Sequence, residues 1–403
     1  MTVRYVARSL RLTLHPNVRD MRRFWACSRK KYWRSPVTGV GVFAAGARNN
    51  TGLRRRDAVR LQPPLSVSLY ITTLCTALVA GSTAHGADNI TLQGTGATFP
   101  APFYQRWFAE YHKLHPEVQI NYQPLGSGAG VKQFTDKLVD FGASDAAMTD
   151  DEIKQVKDGV VMLPMTAGSI VLGYNLPGFT GDLRLSREAY AGIFLGKITA
   201  WNDPKIAAAN PGVTLPATKI TVVERSDGSG TTFVFTNHLS AISEEWKNGP
   251  GVGKSINWPI GVSGKGNAGV TALLKQTPGA IGYVEYSYAK QTNLPMTVLE
   301  NKSGKYVKVD LPSEQAALAG VEMPTDLRAW LPDPSGADAY PIVTYTWLLC
   351  YKTYAKADVA TTLKAVIRFG LGDAQQFSAD LGYIPLPASV VAAVTKALDQ
   401  IIP

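Results

Sequence analysis

The chain has 403 residues and a formal net charge of +10, and its length is sufficient for two domains with substantial hydrophobic cores. The positive charge is confined to the start, because residues 1–60 contain fifteen of the 41 lysines and arginines but only two acidic residues. Residues 61–87 contain no Asp, Glu, Lys or Arg, so beyond them 26 basic residues face 29 acidic ones. Since nucleic-acid-binding proteins ordinarily present a concentrated basic face, this balance argues against a nucleic-acid partner.

An uncharged apolar run over residues 65–80 follows the basic start and leads into the small residues of 81–87. Basic, apolar and small-residue regions in this order are typical of a secretory signal, so we predict a signal over 65–87 with cleavage near its end. A membrane anchor is the alternative, but the sixteen-residue run is shorter than the ~20 residues that span a bilayer. A lipid anchor at Cys75 is less favoured because the bulky Leu74 precedes it.

Residues 1–53 are basic, show no clear periodicity and lie too far ahead of the apolar run to belong to a signal, so the segment 1–64 is set apart from it. We interpret them as a non-structural leader or as the result of a start codon assigned too early. Of the three cysteines, Cys27 and Cys75 precede residue 88, and only Cys350 lies in the predicted mature chain. That chain therefore has no internal disulfide, and the apolar neighbours of Cys350 predict a buried, inert thiol in a strand.

From Ile90 onward, segments typical of strands alternate with segments typical of helices, which predicts an α/β fold. Phe103, Trp107, Tyr111 and Leu114 recur at helical spacing and predict the first helix. This alternation continues along the whole predicted mature chain, without internal repeats or low-complexity tracts.

The second helix is predicted from the spacing of Val131, Phe134 and Leu138. Thr149 and Glu152 then have the spacing of a capping box, which predicts the start of another helix. Both predictions depend only on local patterns, so they say nothing about which face each helix buries.

Two long apolar and extended segments, at 160–174 and 342–351, are placed to carry the chain between two lobes. Residues 300–340, by contrast, are polar and irregular, and we predict no regular element there. The predicted lobes have these bounds: 88–165 for the first part of lobe 1, 166–340 for lobe 2, and 341–403 for the completion of lobe 1.

Three glycine-containing loops, 95–100, 126–130 and 227–231, each connect a predicted strand to a predicted helix start. A strand, a glycine-rich turn and a helix start in this order aim backbone N–H groups at an anion. One such loop is a weak signal, since most are plain turns. The three together predict a site for a small oxyanion.

The loops carry hydroxyl groups and free backbone N–H groups as candidate donors, and one guanidinium lies just before the third loop. Arg225 presents a planar fork that suits phosphate or sulfate oxygens, and Asp227 is placed to hold that fork. The alternative for this pair is a surface ion pair, worth ~0–1 kcal/mol. The other candidate donors are Thr98, Phe99, Ser127, Ser229, Gly230 and Thr231. For Thr98 and Phe99 the alternative is a helix cap with a staple residue, and for Ser127 a flexible turn.

Asp145, which follows a predicted short strand, is the unexpected member of the group. A carboxylate that faces an anion repels it, unless the anion carries a proton to donate. Monohydrogen and dihydrogen phosphate carry one, whereas sulfate at neutral pH does not. The alternative for Asp145 is a turn or cap residue.

Other chemical patterns are incomplete. Gly253-Lys254-Ser255 resembles the end of a nucleotide-binding P-loop, but the required glycine is replaced by Asn248. After residue 87 the histidines are those at 112, 115 and 238, and their spacing does not predict a metal site or a Ser-His-Asp set. We therefore expect no metal, no cofactor and no enzymatic activity.

At these residues the chain closely resembles the periplasmic phosphate-binding proteins of phosphate-specific ABC transporters, over nearly its whole predicted mature length. Several of the matching segments are long and specific, so chance is a poor explanation. They are 94–102, 140–145, 196–198, 201–203, 227–236, 258–261, 264–267 and 278–286.

The resemblance implies a two-lobed periplasmic binding protein fold of type II-like character, in which each lobe is a mixed sheet flanked by helices and two strands form the hinge. It also implies high-affinity binding of inorganic phosphate in the periplasm, and delivery to the permease and ATPase subunits of an ABC importer by a monomer. The implied ligand-binding residues are Thr98, Phe99, Ser127, Asp145, Arg225, Ser229, Gly230 and Thr231, with Asp227 as the supporting partner of Arg225. Two alternatives stay open, a binding protein for sulfate or molybdate and a phosphate-ester hydrolase.

Overall fold

A computed structural model describes residues 89–403 of the chain. The predicted leader at 1–64, the secretory signal at 65–87, and Cys27 and Cys75 lie outside the described residues. No helix within 89–403 is long and apolar enough to cross a membrane.

Strands and helices alternate through the described residues, as an α/β fold requires. The strands are β1 (Ile90–Gly96), β2 (Val118–Gln123), β3 (Phe141–Ser144), β4 (Val160–Tyr174), β5 (Arg184–Leu185), β6 (Thr221–Arg225), β7 (Val262–Gly264), β8 (Ala280–Glu285), β9 (Val298–Glu300), β10 (Tyr306–Val307) and β11 (Val343–Tyr351). The α-helices are α1 (Ala101–Leu114), α2 (Ser127–Thr135), α3 (Asp150–Lys154), α4 (Arg187–Phe194), α5 (Pro204–Ala209), α6 (Gly230–Ile242), α7 (Glu244–Asn248), α8 (Gly266–Gln276), α9 (Tyr286–Thr292), α10 (Leu311–Leu318), α11 (Ala357–Leu371), α12 (Ser378–Leu381) and α13 (Ala388–Ala397). Two short 3₁₀ helices span Asp373–Phe377 and Leu398–Gln400.

Eight strands form one mixed sheet in the order β2-β1-β3-β11-β4-β8-β6-β7. β1 is parallel to β2 and β3, and β6 is parallel to β7 and β8. β11 is antiparallel to β3 and β4, and β4 is antiparallel to β8. A small separate sheet has the order β10-β9-β5.

The long strand β4 divides the sheet into two lobes. Its residues 160–169 pair with β11, whereas residues 170–174 pair with β8. We call lobe 1 the part built on β1, β2, β3, β11 and the first portion of β4, and lobe 2 the part built on the rest of β4 and β5 to β10. The backbone N–H of Ile170 donates to the carbonyl of Ile342 at 2.9 Å, at the point where both connections pass between the lobes.

The first predicted helix is confirmed, since all four residues that predicted it lie in α1. Phe103, Trp107 and Tyr111 are buried, and Trp107 Nε1 donates to the carbonyl of Val366 at 3.1 Å. Leu114 also lies in α1, as predicted, but it is the last residue of the helix and its side chain is 65% exposed. The Leu114 side chain is exposed because the helix ends at this residue.

Two predictions are corrected by the structure. Helix α2 ends at Thr135, two residues before Lys137 adopts a left-handed φ of 58°, so Leu138 lies outside the helix and is 67% exposed. The segment 300–340 contains helix α10, which begins with a capping box between Asp310 and Ser313, and the short strand β10. The polar composition of that segment concealed the cap, because aspartate and serine are frequent in loops as well as at helix starts.

The remaining local predictions hold. Thr149 and Glu152 form the predicted capping box at the start of α3. Every residue of β11 is buried, including the free Cys350, whose thiol has its pKa raised to about 12 by burial. A thiol in such surroundings stays protonated and inert, as the sequence predicts.

Candidate functional site

The first glycine-containing loop joins β1 to α1 and places Thr98 and Phe99 before the helix. Pro100 is the N-cap residue of α1 and no side chain caps this helix, so the alternative of Thr98 as an N-cap is wrong. Thr98 Oγ1 instead accepts hydrogen bonds from Asn267, at 3.3 Å from the backbone N–H and 2.9 Å from Nδ2. Phe99 is fully buried, and its carbonyl accepts the Tyr383 hydroxyl at 2.7 Å.

The second loop ends at Gly126, and helix α2 begins at Ser127. Gly126 has a φ of +104°, and a Cβ at this position would lie 2.3 Å from Asp227 Oδ2, so both the backbone and the close approach require glycine. Ser127 is fully buried. Its hydroxyl donates to Asp145 Oδ2 at 3.4 Å and accepts the Asp145 backbone N–H at 3.2 Å, which ties the loop to the end of β3.

Just before the third loop, Arg225, the last residue of β6, forms a bidentate ion pair with Asp227. Nε donates to Oδ1 at 2.8 Å and Nη2 donates to Oδ2 at 2.6 Å. The two side chains are 1% and 12% exposed, so the alternative of a surface ion pair is wrong. Burial opposes ionisation of Asp227, but hydrogen bonds and charge from Arg225, with the backbone N–H of Gly266, outweigh it and hold the pKa of this carboxyl below its usual value.

The start of helix α6 supplies several donors from the same loop. Ser229 is the N-cap residue, and its hydroxyl oxygen accepts the backbone N–H of Thr232 at 3.0 Å. Since a hydroxyl oxygen can accept and still donate, the proton of Ser229 is available to another partner. Gly230 and Thr231 follow in the first turn, and Thr231 Oγ1 accepts from Arg225 Nη1 at 3.4 Å.

Asp145 is 2% exposed and directly follows β3. Its Oδ1 accepts the Thr346 hydroxyl at 2.9 Å, and its Oδ2 accepts the Ser127 hydroxyl. Burial raises the pKa of Asp145 to about 7, although the bond from Thr346 and the charge of Arg225 act in the opposite direction. Thr149, not Asp145, caps the helix that follows, so the alternative of a cap is wrong.

The three loops and Asp145 meet where the two lobes face each other. The backbone N–H of Gly128 donates to the carbonyl of Gly228 across the cleft at 2.8 Å. A Cβ on Gly230 would lie 2.5 Å from Ser127 Oγ and 2.7 Å from Asp145 Oδ2. The residues predicted from the sequence therefore lie together, and their role in ligand binding stays a prediction. They are Thr98, Phe99, Ser127 and Asp145 from lobe 1, and Arg225, Asp227, Ser229, Gly230 and Thr231 from lobe 2.

Several backbone N–H groups at this cleft have no hydrogen-bond partner within residues 89–403, and they include those of Phe99, Ser127, Gly230 and Thr231. They lie in or just before the first turns of α1, α2 and α6, where the helix dipoles favour negative charge. With the hydroxyl groups and the Arg225 guanidinium, they give the cleft many donors and few acceptors. Such an arrangement is suited to hold a small oxyanion without a metal ligand set.

Two further residues at the cleft, Asn267 and Thr346, have no role predicted from the sequence. Asn267 lies in the first turn of α8, is fully buried, and donates from Nδ2 to Thr231 Oγ1 at 3.3 Å as well as to Thr98. The sequence contains a pattern that could have identified Asn267 as a cleft residue, because Gly266 and Asn267 stand at a strand-to-helix turn like those of the other loops. Thr346 carried no local signal, since only the pairing of β11 with β3 brings it to Asp145.

Comparison with known proteins identifies similar chains over most of this length. The family model described as the PBP superfamily domain matches residues 81–374. The phosphate-binding protein PstS of Pasteurella multocida is 40% identical over 307 residues, which cover 75% of this chain and 88% of that protein. The phosphate-binding protein PstS of Haemophilus influenzae is 40% identical over 330 residues, which cover 81% of this chain and 96% of that protein.

Solved structures share the architecture at lower sequence identity. The crystal structure of a phosphate-binding protein from Stenotrophomonas maltophilia matches with a TM-score of 0.61 and 20% identity. The match covers 76% of this chain and 93% of that chain. At this identity the likeness concerns the fold alone, and it confirms the predicted two-lobed α/β fold.

Proposed function

Because the chain belongs to the PBP superfamily and, within it, to the PstS phosphate-binding proteins, we propose that it binds inorganic phosphate in the cleft between its lobes. The observation that carries this proposal is the convergence of unpartnered backbone N–H groups, hydroxyls and one guanidinium around a single raised-pKa carboxyl. The relatives favour phosphate over the sulfate, molybdate and hydrolase alternatives.

The proposed ligand shell has donors on both sides of the cleft. Lobe 1 offers the Thr98 hydroxyl, the Phe99 N–H and the Ser127 N–H, whereas lobe 2 offers the Arg225 guanidinium and the start of α6. Each hydrogen bond to a charged oxyanion contributes roughly 1.5–3 kcal/mol, so several together offset the loss of hydration. Asp227 neutralises Arg225, so the shell binds mainly through oriented dipoles rather than through net charge.

Asp145 is the proposed source of selectivity. An ionised carboxylate beside the ligand accepts a hydrogen bond from a P–OH group. Sulfate at neutral pH has no such proton and presents only acceptor oxygens to the carboxylate. The repulsion between two acceptors disfavours sulfate, which is selection against the wrong ligand rather than extra attraction for the right one.

Closure of the two lobes completes the shell. Both connections between the lobes run through β4 and the start of β11, so rotation about this point opens and closes the cleft. We propose that the closed form delivers phosphate to the permease and ATPase subunits of an ABC importer. In this proposal the protein acts in the periplasm as a monomer, without a cofactor or a metal and without enzymatic activity.

Titration calorimetry of the purified, ligand-stripped protein tests the proposal. We expect a phosphate dissociation constant well below about 100 μM, with sulfate and molybdate binding at least about a hundredfold more weakly. No phosphate binding in this range contradicts the proposal, and preferential sulfate or molybdate binding supports the corresponding alternative. Turnover of a phosphate ester by the same preparation would instead identify a hydrolase.

The variant Asp145→Asn tests the assignment of selectivity. Its amide can donate to a sulfate oxygen, so we expect the preference for phosphate over sulfate to fall by about tenfold or more. Asp151→Asn, on the exposed first turn of α3, is the matched control and leaves the preference unchanged. An unchanged preference in Asp145→Asn removes this carboxyl from the selectivity argument.

A further inference from the structure

Asn267 joins the two lobes at the cleft without belonging to the proposed ligand shell. It stands in the first turn of α8 in lobe 2 and is fully buried. Its backbone N–H and Nδ2 both donate to Thr98 Oγ1 in lobe 1, at 3.3 Å and 2.9 Å. Nδ2 also donates to Thr231 Oγ1 in its own lobe at 3.3 Å.

The orientation of the Asn267 side chain is determined by its other end. Oδ1 accepts the backbone N–H of Glu285 at 3.0 Å, at the end of β8. A backbone N–H can only donate, so the atom that faces it must be the carboxamide oxygen. The NH₂ group therefore points to the two threonines, and it cannot accept a proton from either of them.

The hydroxyl oxygens of the two threonines each receive two hydrogen bonds. Thr98 Oγ1 receives both from Asn267, whereas Thr231 Oγ1 receives one from Asn267 and one from Arg225 Nη1. A hydroxyl group has two acceptor sites and one proton, so the acceptor sites of both oxygens are occupied. In every hydrogen bond that these two hydroxyl oxygens make within residues 89–403 they accept, which leaves both protons for a ligand.

We propose that Asn267 is a positioning residue that makes the Thr98 and Thr231 hydroxyls obligate donors to the bound anion. This inference rests on the proposed function and deepens it. Because both threonine hydroxyls can only donate, Asp145 is the group that accepts a hydrogen bond from the ligand. The P–OH group of the ligand is therefore directed towards Asp145. Asn267 thus fixes the orientation of the ligand without touching it, and it couples that orientation to closure because Thr98 lies in the opposite lobe.

Double-mutant cycles on phosphate affinity in the full chain test the inference. Thr98→Val in the parent protein is expected to weaken phosphate binding by about tenfold, as the loss of one hydrogen bond implies. In the Asn267→Ala background the same substitution is expected to cost less than about threefold, because the Thr98 hydroxyl is then free to rotate. Thr231→Val is expected to follow the same pattern.

The matched control is Ser127→Ala, which removes a hydroxyl of the same cleft that Asn267 does not contact. If Asn267 merely supports the fold or closure in general, it affects Ser127 and Thr98 alike. We expect Asn267→Ala and Ser127→Ala to be additive, whereas Asn267→Ala and Thr98→Val are not. Equal additivity of both pairs overturns the inference.

Asn267→Asp keeps the test valid if the alanine variant folds poorly. An aspartate has the same shape and still accepts the Glu285 N–H, but it offers an acceptor where Nδ2 donated. The Thr98 proton then turns towards position 267, so Thr98→Val is expected to have no further effect on phosphate affinity. A Thr98→Val loss as large as in the parent overturns the inference.

A further control distinguishes the loss of a buried asparagine amide from the loss of the positioning role of Asn267. Asn301 is also fully buried and donates from Nδ2 to the carbonyls of Ala337 and Ala339, in a turn elsewhere in lobe 2. Asn301→Ala is expected to lower stability without any coupling to Thr98→Val. If the parent protein does not bind phosphate at all, the proposed function fails. If it binds and the cycles are additive, only this inference fails.

Discussion

Lobe 1 and lobe 2 each bring one aspartate to the cleft, and the pKa values of the two carboxyl groups shift in opposite directions. The Asp145 carboxyl in lobe 1 accepts hydrogen bonds from two hydroxyl groups, those of Thr346 and Ser127, and burial raises its pKa to about 7. Asp227 in lobe 2 is also largely buried, but its bidentate pairing with Arg225 holds its pKa below the usual value. The direct partner of each carboxyl group therefore determines its pKa. Lobe 2 presents the Arg225 guanidinium, held in place by an ionised Asp227, whereas lobe 1 presents Asp145, whose protonation changes near neutral pH.

Removal of the lobe 2 fork is expected to have the largest effect. Arg225→Gln deletes two charge-assisted bonds and leaves Asp227 buried without its cation, a change that costs about 3–5 kcal/mol. We expect phosphate affinity to fall at least about a hundredfold and the unfolding midpoint in urea to drop. Both are measured on one preparation, by calorimetry and by urea titration.

The control for this variant is Arg187→Gln, which breaks a comparable bidentate pair with Asp333 elsewhere in lobe 2. It is expected to lower stability but to leave phosphate affinity within about threefold of the parent value. Parent-like affinity in Arg225→Gln would show that the fork is structural, and the contrast between the lobes would then carry no functional meaning.

The lobe 1 aspartate is tested through the pH dependence of stability. In the ligand-free folded protein Asp145 keeps its proton up to about pH 7, whereas an unfolded chain releases it near pH 4. Its contribution to stability is therefore fully present below about pH 4 and is lost as the pH rises towards 7 and beyond. Asp145→Asn removes this loss, so the variant gains stability relative to the parent across this range, by up to about 4 kcal/mol.

The measurement is urea unfolding of phosphate-free protein at several pH values between about 4 and 8. Only the difference between variant and parent is diagnostic, because burial also raises the pKa of Glu285 and Glu314. Asp151→Asn, with its side chain 87% exposed, is expected to give a flat difference. A flat difference for Asp145→Asn as well would mean that this carboxyl is ionised in the empty cleft.

A third experiment tests whether the two lobes must approach each other closely. Gly230→Ala places a methyl group within van der Waals overlap of Ser127 Oγ and Asp145 across the cleft. Overpacking of this kind costs about 1–3 kcal/mol, so we expect phosphate affinity to fall roughly tenfold to a hundredfold. Since alanine suits the first turn of a helix, the stability of the ligand-free protein is expected to be unchanged or higher.

Gly269→Ala in α8 is the matched control, because its added methyl group meets no atom closer than 3.4 Å. It is expected to leave phosphate affinity unchanged. If Gly230→Ala also binds phosphate as the parent does, the cleft tolerates a wider separation, and close contact between the lobes is not needed for binding.

The fold was predictable from the sequence where local patterns determine its elements. Local patterns predicted α1, the capping box of α3 and the buried strand β11, because each depends on neighbours in the sequence. Leu138 was wrongly placed in α2 because an apolar residue at helical spacing cannot be distinguished from its predecessors in the sequence, although the helix ends at Thr135. Helix α10 was missed because its start resembles a polar loop.

The candidate site was predictable to the extent that it consists of loops. Thr98, Ser127 and Arg225 stand beside glycines at strand-to-helix turns, and the family resemblance made their grouping clear. Thr346 and the lobe-bridging contact of Asn267 were not predictable from local sequence, since each depends on long-range pairing. The pKa of Asp145 likewise follows from burial, which no sequence pattern gives.

The smallest expected effect concerns the ion pairs that join the lobes at the edge of the cleft. Lys254 in lobe 2 contacts Glu152 of α3 at 2.5 Å, and the two side chains are 19% and 29% exposed. Partly exposed pairs contribute about 0–1 kcal/mol, so Lys254→Met is expected to weaken phosphate binding by up to about fivefold, and less at high salt. Lys197→Met breaks a pair with Glu245 inside lobe 2 and is expected to leave phosphate affinity unchanged. A loss beyond about tenfold in Lys254→Met would mean that surface charge, rather than the buried donors of the two lobes, controls closure of the cleft.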